Sequence, residues 1–167
     1  THTAGLTPWI PFYIKTLGKK EVYQSEPSET YSVPVCWNMY MRSDYKDSLL
    51  HYIVATPLSK ERKYLYSDLG FYLLADLVEK ISGMPLDQFV AHYFYEPLAL
   101  SETCFNPWQT IPLSKVAPTE KDTLFRKQMV HGYVHDQGAA MMGGVCGHAG
   151  LFSTAEDLAV LLQLLLN

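Results

Sequence analysis

Residues 68–95 constrain the fold of this chain more than any other stretch. Apolar residues recur at helical spacing through Leu69, Tyr72, Leu73, Leu77 and Ile81, with Asp76, Glu79 and Lys80 on the other side. That spacing predicts an amphipathic helix over 68–81. Gly83 falls where a left-handed residue closes a helix, and Pro85 is pre-set to open the next one. The second helix, over 86–95, gathers Leu86, Phe89, Val90, Tyr93 and Phe94 on one side. Joined by Ser82-Gly83-Met84-Pro85, the two should run antiparallel.

Weaker patterns flank this hairpin. Residues 1–31 are rich in Pro, Gly, Ser and Thr, and Pro8, Pro11 and Pro27 break any long element, so a loop with one short helix over 10–16 is expected. Leu49, Leu50, Ile53 and Val54 predict a helix over 44–55 that Pro57 ends. A Pro-punctuated surface loop is expected over 106–122, a strand over 125–134, and a Gly-rich tight connection rather than a helix over 138–150. Ser153-Thr154-Ala155-Glu156 has the form of a capping box. The helix that follows, over 155–166, is apolar on nearly every side except at Glu156, Asp157 and Gln163. Such a helix wants burial on more than one face, which predicts partner chains or aggregation where the covering is short.

Composition bounds the function classes. With 167 residues, 48% hydrophobic and 18% charged, the chain suits one ordinary globular domain. Its 13 Lys and Arg against 17 Asp and Glu give −4, spread along the chain. Nucleic acid is excluded as a partner, because binding it takes clustered basic residues. No apolar run reaches bilayer length, and 158–166 is interrupted by Gln163. Cys36, Cys104 and Cys146 are too few and too widely spaced for a metal pair or a disulfide framework. The chain opens on Thr1 with no initiator Met, and its last helical pattern reaches Asn167 without a stop signal. A piece of a larger protein is therefore expected, and no signal segment is visible in it.

Chemistry is suggested most by Tyr66-Ser67-Asp68, just before the strong helix, where a short loop can aim a phenol into a cleft. Alone the motif is weak, since a tyrosine at a helix start more often packs its ring and bonds its hydroxyl to backbone. Ser43-Asp44-Tyr45-Lys46 has Ser-x-x-Lys spacing, but accidental spacing is easy and a polar helix start explains it better. His131, His135, Asp136 and His148 invite a metal reading. Gly132 and the Gly-rich stretch make a helix there doubtful, so the four-residue spacing loses its meaning. No metal and no cofactor are expected. His148 and His2 are expected to order their own loops, and Met141-Met142, Trp9, Trp37 and Trp108 to pack or wall a cleft.

Ordered likenesses change the weight of Tyr66. Thr1-His2-Thr3-Ala4-Gly5-Leu6 resembles the THTSGL segment of serine β-lactamase-related hydrolases. Tyr66-Ser67-Asp68-Leu69-Gly70-Phe71 is similar to their Y-S-N motif and the helix after it. Ile81-Ser82-Gly83 with Phe94-Tyr95-Glu96-Pro97-Leu98 resembles their ISG and FEPLGM runs. Val134-His135-Asp136 and the stretch from Gly147-His148-Ala149-Gly150 through Ala159 resemble the VHD and GHAGLFSTAEDLA segments of one branch. The likeness keeps the family's order from the first residue to the last. The family includes class C β-lactamases, D-Ala-D-Ala carboxypeptidases and penicillin-binding esterases.

The resemblance implies an α+β fold of the β-lactamase/transpeptidase type, residues 1–167 being mostly its helical middle. The Ser-x-x-Lys helix is expected upstream of Thr1, and the K-T-G or H-x-G strand downstream of Asn167. It also implies acyl-enzyme chemistry on an ester, a D-amino-acid peptide or a β-lactam, with Tyr66 and Asp68 as the catalytic residues. Asp68 replaces the family's Asn, an acceptor-only carboxylate for an amide that also donates. It would repel an anionic substrate, which disfavours β-lactams. The isolated chain is expected to be inactive. A periplasmic or secreted parent is implied, associated peripherally with membrane or cell wall. The alternative is a degenerate relative that binds cell-wall fragments or a protein partner, and an upstream glycosidase-like domain is known in the branch with the VHD and GHAGLFS segments.

Overall fold

The computed structural model, which describes residues 2–61 and 63–166, begins with a 3-10 turn at Phe12–Thr16, the short helix expected over 10–16. Three short strands follow: β1 (Tyr23–Gln24), β2 (Val33–Cys36) and β3 (Met39–Met41), an antiparallel sheet in the order β1-β3-β2. Met41 stands opposite both Tyr23 and Val33 and is fully buried with Val35. The β2–β3 turn runs through Trp37-Asn38, with Asn38 at φ 54°, a conformation that Asn accepts more readily than most residues. β1 lies inside the stretch expected to be loop, and two residues of Tyr and Gln are too few to leave a period in the sequence.

Helix α1 (Tyr45–Val54) buries Leu49 and Ile53, one turn apart, in the same core. Helix α2 (Leu69–Ser82) begins and ends as expected, and Gly83 closes it at φ 70° with its N–H on the Glu79 carbonyl. The Glu79 side chain then accepts from the Leu86 N–H at 2.9 Å, so one residue serves the end of α2 and the start of α3 (Leu86–Val90). The helical path continues through Ala91–Tyr95 in a wider π form. Of the predicted apolar stripe on α2, Leu69 and Tyr72 are buried, while Leu77 is 49% and Ile81 78% exposed. The core ends under the first two turns of α2, and the stripe runs on past it.

The second half corrects three expectations. Residues 106–122 do hold two 3-10 turns, but they end in β5 (Pro118–Asp122), paired antiparallel with β6 (Gln128–His131), the strand expected within 125–134. The Gly-rich stretch contains helix α4 (Gln137–Met141), capped by the Asp136 carboxylate on the Ala139 N–H at 2.6 Å. Ala139, Ala140 and Met141 are fully buried. Strand β4 (Cys104–Phe105) pairs with β7 (Leu151–Phe152), which lays Ser153 against Thr103 at 2.7 Å. That contact moves the cap of α5 (Ala155–Leu166) by one residue. Thr154 Oγ1 accepts from the Asp157 N–H, and the Asp157 carboxylate turns away to the Glu102 N–H and the Thr103 hydroxyl. No residue of α5 is buried, so the covering that its apolar faces call for is not supplied within these residues. Among the described residues no helix is long and apolar enough to cross a membrane. The whole is an α+β arrangement with helices predominating.

Candidate active site

The Tyr66-Ser67-Asp68 turn is held from outside its own helix, by the first residues of the chain. Leu65 N–H donates to the His2 carbonyl at 2.9 Å, and Asp68 N–H to the Pro8 carbonyl at 3.3 Å. Between them Ser67 N–H donates to His2 Nδ1 at 3.2 Å. The buried Ser67 hydroxyl donates to the Thr7 carbonyl at 2.7 Å and accepts from the Leu69 N–H at 3.3 Å. Ser67 therefore satisfies an orphan donor at the start of α2, and the side chain of Asp68 is left for other work. His2, at φ 56°, packs its ring on Tyr66 at 4.5 Å and edge-on to Tyr64 and Phe71. This is the local ordering expected of His2.

Tyr66 itself is 57% exposed, on the surface rather than in an enclosed cleft. A cavity of about 470 Å³ lies beside it, lined by His2, Leu6, Ser67, Phe71 and Leu74 among others. The Tyr66 hydroxyl donates to the Asp68 carboxylate, and this bond and charge push the phenol above its usual range. Tyr66 and Asp68 are thus brought together as expected. The sign of the electrostatics is the reverse of what a phenol needs to act as a base.

Behind the turn lies a buried polar assembly that sequence reasoning largely missed. Asp136 caps α4 and also meets His148 Nε2 at 3.1 Å. The His148 side chain is 6% exposed, and its ring stacks on Tyr72 at 4.4 Å and 25°. Burial alone would lower the imidazole; the Asp136 carboxylate and the flanking Cys146 reverse this and raise it to about 9. Burial likewise would raise the Asp136 carboxyl, but His148 and the Ala139 and Gly138 amides bring it below its ordinary value. A Cβ at Gly147 would collide with the Phe71 carbonyl, and one at Gly138 with the Tyr72 hydroxyl. The glycines are there for close approach to α2. His148 does order its loop, and a carboxylate one turn before Ala139-Ala140 was the readable sign of the missed α4.

Arg126 is the second missed residue, its side chain wholly buried. Its Nε donates to Asp122 at 2.9 Å, its Nη2 to Glu120 at 2.7 Å and to the His135 carbonyl at 2.6 Å, and its Nη1 to the Val134 carbonyl at 2.6 Å. Asp122 also accepts from the N–H groups of Leu124, Phe125 and Arg126. This fork ties the β5–β6 hairpin to the Val134-His135-Asp136 run. Acidic residues at 120 and 122 with a single Arg four residues beyond gave the only sequence signal.

The other candidates separate. Ser43 and Lys46 line a different cavity of about 460 Å³, which includes neither Tyr66 nor Asp68. The Ser43 hydroxyl donates to the Thr30 carbonyl at 3.4 Å, just ahead of α1. His131 Nε2 lies 2.6 Å from the Val116 carbonyl, and His135 is exposed near Glu120, so neither joins His148. Among the described residues no group of three or more His, Cys, Asp and Glu is placed to hold a metal ion. Cys36, Cys104 and Cys146 are free thiols.

A family model described as Beta-lactamase matches residues 1–167. A Bacillus subtilis (strain 168) protein named N-acetylmuramyl-L-alanine amidase is 40% identical over 139 residues, covering 75% of this chain and 32% of that one. An Escherichia coli (strain K12) protein provisionally named D-alanyl-D-alanine carboxypeptidase gives the same identity and coverage. The chain thus spans about a third of the length of these curated relatives. A penicillin-binding protein from Bacillus halodurans matches 99% of this chain and 44% of its own at TM-score 0.56 and 18% identity, a likeness of fold. Thr1, the first residue of the Thr1-to-Leu6 motif, lies outside the described residues. With a family match over its whole length, 40% identical relatives and that shared fold, the chain belongs to the serine β-lactamase-related family.

Proposed function

We propose that this chain is part of a serine hydrolase working through an acyl-enzyme, with Tyr66 as its proton shuttle and Asp68 beside it. The observation that carries the reading is the Tyr66–Asp68 pair, presented at the start of α2 with its phenol accessible. In the reaction a serine hydroxyl attacks the substrate carbonyl while its proton passes through Tyr66 to the leaving group. The carbonyl–leaving-group bond breaks, and water then releases the acyl group. The serine and its lysine belong to a Ser-x-x-Lys helix outside residues 1–167, and a K-T-G or H-x-G strand beyond them completes the site. That lysine supplies the ammonium charge that must outweigh Asp68 before the phenol can accept a proton.

The substrates are esters or D-amino-acid peptides, in keeping with relatives named for a carboxypeptidase and an amidase. Asp68 disfavours anionic β-lactams by repulsion, and among peptides it favours those that bring no free carboxylate beside it. Without the serine, residues 1–167 alone are inactive, and the whole protein works outside the cytoplasm, at the cell wall or the membrane surface. One observation favours a second reading, a non-catalytic binder of cell-wall fragments: Asp68 opposes ionisation of the phenol.

Intact mass after incubation with a fluorophosphonate and a penicillin decides between them, on residues 1–167 and on a longer form of the protein. An adduct on the longer form alone supports the acyl-enzyme reading, and Tyr66→Phe there should slow acylation by about 10²–10⁴-fold. An adduct on residues 1–167 would make Ser43 the suspect and overturn the placement of the nucleophile outside them. No adduct on either leaves the binder.

A further inference from the structure

We propose that His148, held by Asp136 and stacked on Tyr72, is a positioning residue for the Tyr66–Asp68 turn. The proposal rests on the reading of Tyr66 as proton shuttle. Its geometry is independent of that reading. The Gly147-His148 segment touches the first two turns of α2 at two successive residues. The Gly147 backbone lies against the Phe71 carbonyl, and the His148 ring covers Tyr72 at 4.4 Å. Phe71 meets His2 on its other side at 5.6 Å, and His2 carries Tyr66 at 4.5 Å. Tyr72 follows Asp68 by four residues, so the two lie on one face of the helix. The loop therefore reaches the motif by two routes: Phe71 to His2 to Tyr66, and Tyr72 to Asp68.

Charge runs along the second route. The groups facing His148 are Asp136 at the start of α4, Tyr72 on α2 and Cys146 in its own loop. Tyr72 in turn feels both Asp136 and Asp68. A protonated His148 pairs with Asp136, one of two carboxylates that act on the same buried phenol. Against the effect of burial, Asp136 and Cys146 keep the imidazole protonated up to about pH 9. When it loses the proton, Asp136 faces the Tyr72 ring uncompensated, and the stacked contact that holds the first turn of α2 weakens. The site is thereby held in register at neutral pH and released in alkali.

The test follows two resonances on the full chain through a pH titration: the His148 ring nitrogens by ¹⁵N NMR, and the Tyr66 ¹³Cζ signal, assigned with Tyr66→Phe. The Tyr66 signal should inflect at the pH where His148 deprotonates, in addition to its own titration. His148→Gln, which keeps a donor to Asp136 but cannot titrate, should abolish that inflection while the near-ultraviolet dichroism stays native. Asp136→Asn should move the His148 and Tyr66 inflections to lower pH together, by about 1–3 pH units. No inflection in the unaltered chain, or one that survives His148→Gln, overturns the proposal. Should His148→Gln fail to fold, Asp136→Asn decides, and an inflection of Tyr66 that stays put while that of His148 moves overturns it. Failure of the acyl-enzyme reading shows separately, as absent fluorophosphonate labelling with the coupled inflections intact.

Discussion

Asp68 sets what Tyr66 can do. Its carboxylate accepts the phenol hydrogen bond and adds a like charge to the phenolate, both of which oppose ionisation. Asp68→Asn should therefore lower the pH at which Tyr66 titrates. The check is the same ¹³Cζ resonance, and an unmoved or raised titration would remove Asp68 from any account of the phenol. Both residues became candidates through the ordered family likenesses, since Tyr66-Ser67-Asp68 before a helix is weak alone. What the letters hid was the direction of their coupling, because sign depends on which hydroxyl points at which oxygen. The role of Ser67 was hidden for a similar reason: its hydroxyl bridges Thr7 and Leu69, and the first partner is 60 residues away. Interactions at such separation leave no local period.

At the scale of elements, legibility followed periodicity. Helices α1 and α2, and the cap at Gly83, emerged from spacing and punctuation alone. Helix α4 and strand β5 did not, because five-residue elements are too short to show a period and their stability comes from single buried groups. Arg126 is one such group. Replacing it with Ala leaves Asp122 buried without its ion pair and two carbonyls unpaired, and should cost about 3–5 kcal/mol in chemical denaturation. A loss below 1 kcal/mol would mean that the hairpin holds without the fork. The Asp136–His148 pair is the other. Its imidazole rises from an ordinary 6.5 to about 9 on folding. The stability it contributes is complete below pH 6.5 and fades as pH climbs through about 9. That contribution is about 3 kcal/mol, shared with the lowered carboxyl of Asp136 rather than added to it. Melting temperature should fall across that window in the unaltered chain and fall less in His148→Gln. Equal slopes would show that His148 takes no proton on folding.

For the whole molecule the unbalanced quantity is apolar surface. Leu74, Leu77 and Ile81 on α2 and Leu158, Leu162, Leu165 and Leu166 on α5 are all exposed. The sequence made the excess on α5 readable, since a helix apolar on every side cannot be satisfied by one neighbour. The excess on α2 was not readable, because a periodic stripe shows which face wants burial but not how far along the helix the core extends. Burial stops after Leu69 and Tyr72, where the Phe12, Leu49 and Met141 cluster ends. Contiguous apolar patches of this kind drive association. Residues 1–167 alone should therefore self-associate, with an apparent mass in size-exclusion scattering that rises with concentration. On α5, Leu158, Leu162 and Leu165 fall on one stripe, spaced by four and three residues. Leu162→Glu with Leu165→Glu should bring the mass down toward one chain without lowering the melting temperature, because neither side chain supports the core. A concentration-independent monomer before substitution would show that these faces are tolerated in water. A double variant that loses stability would instead place α5 in the folded core.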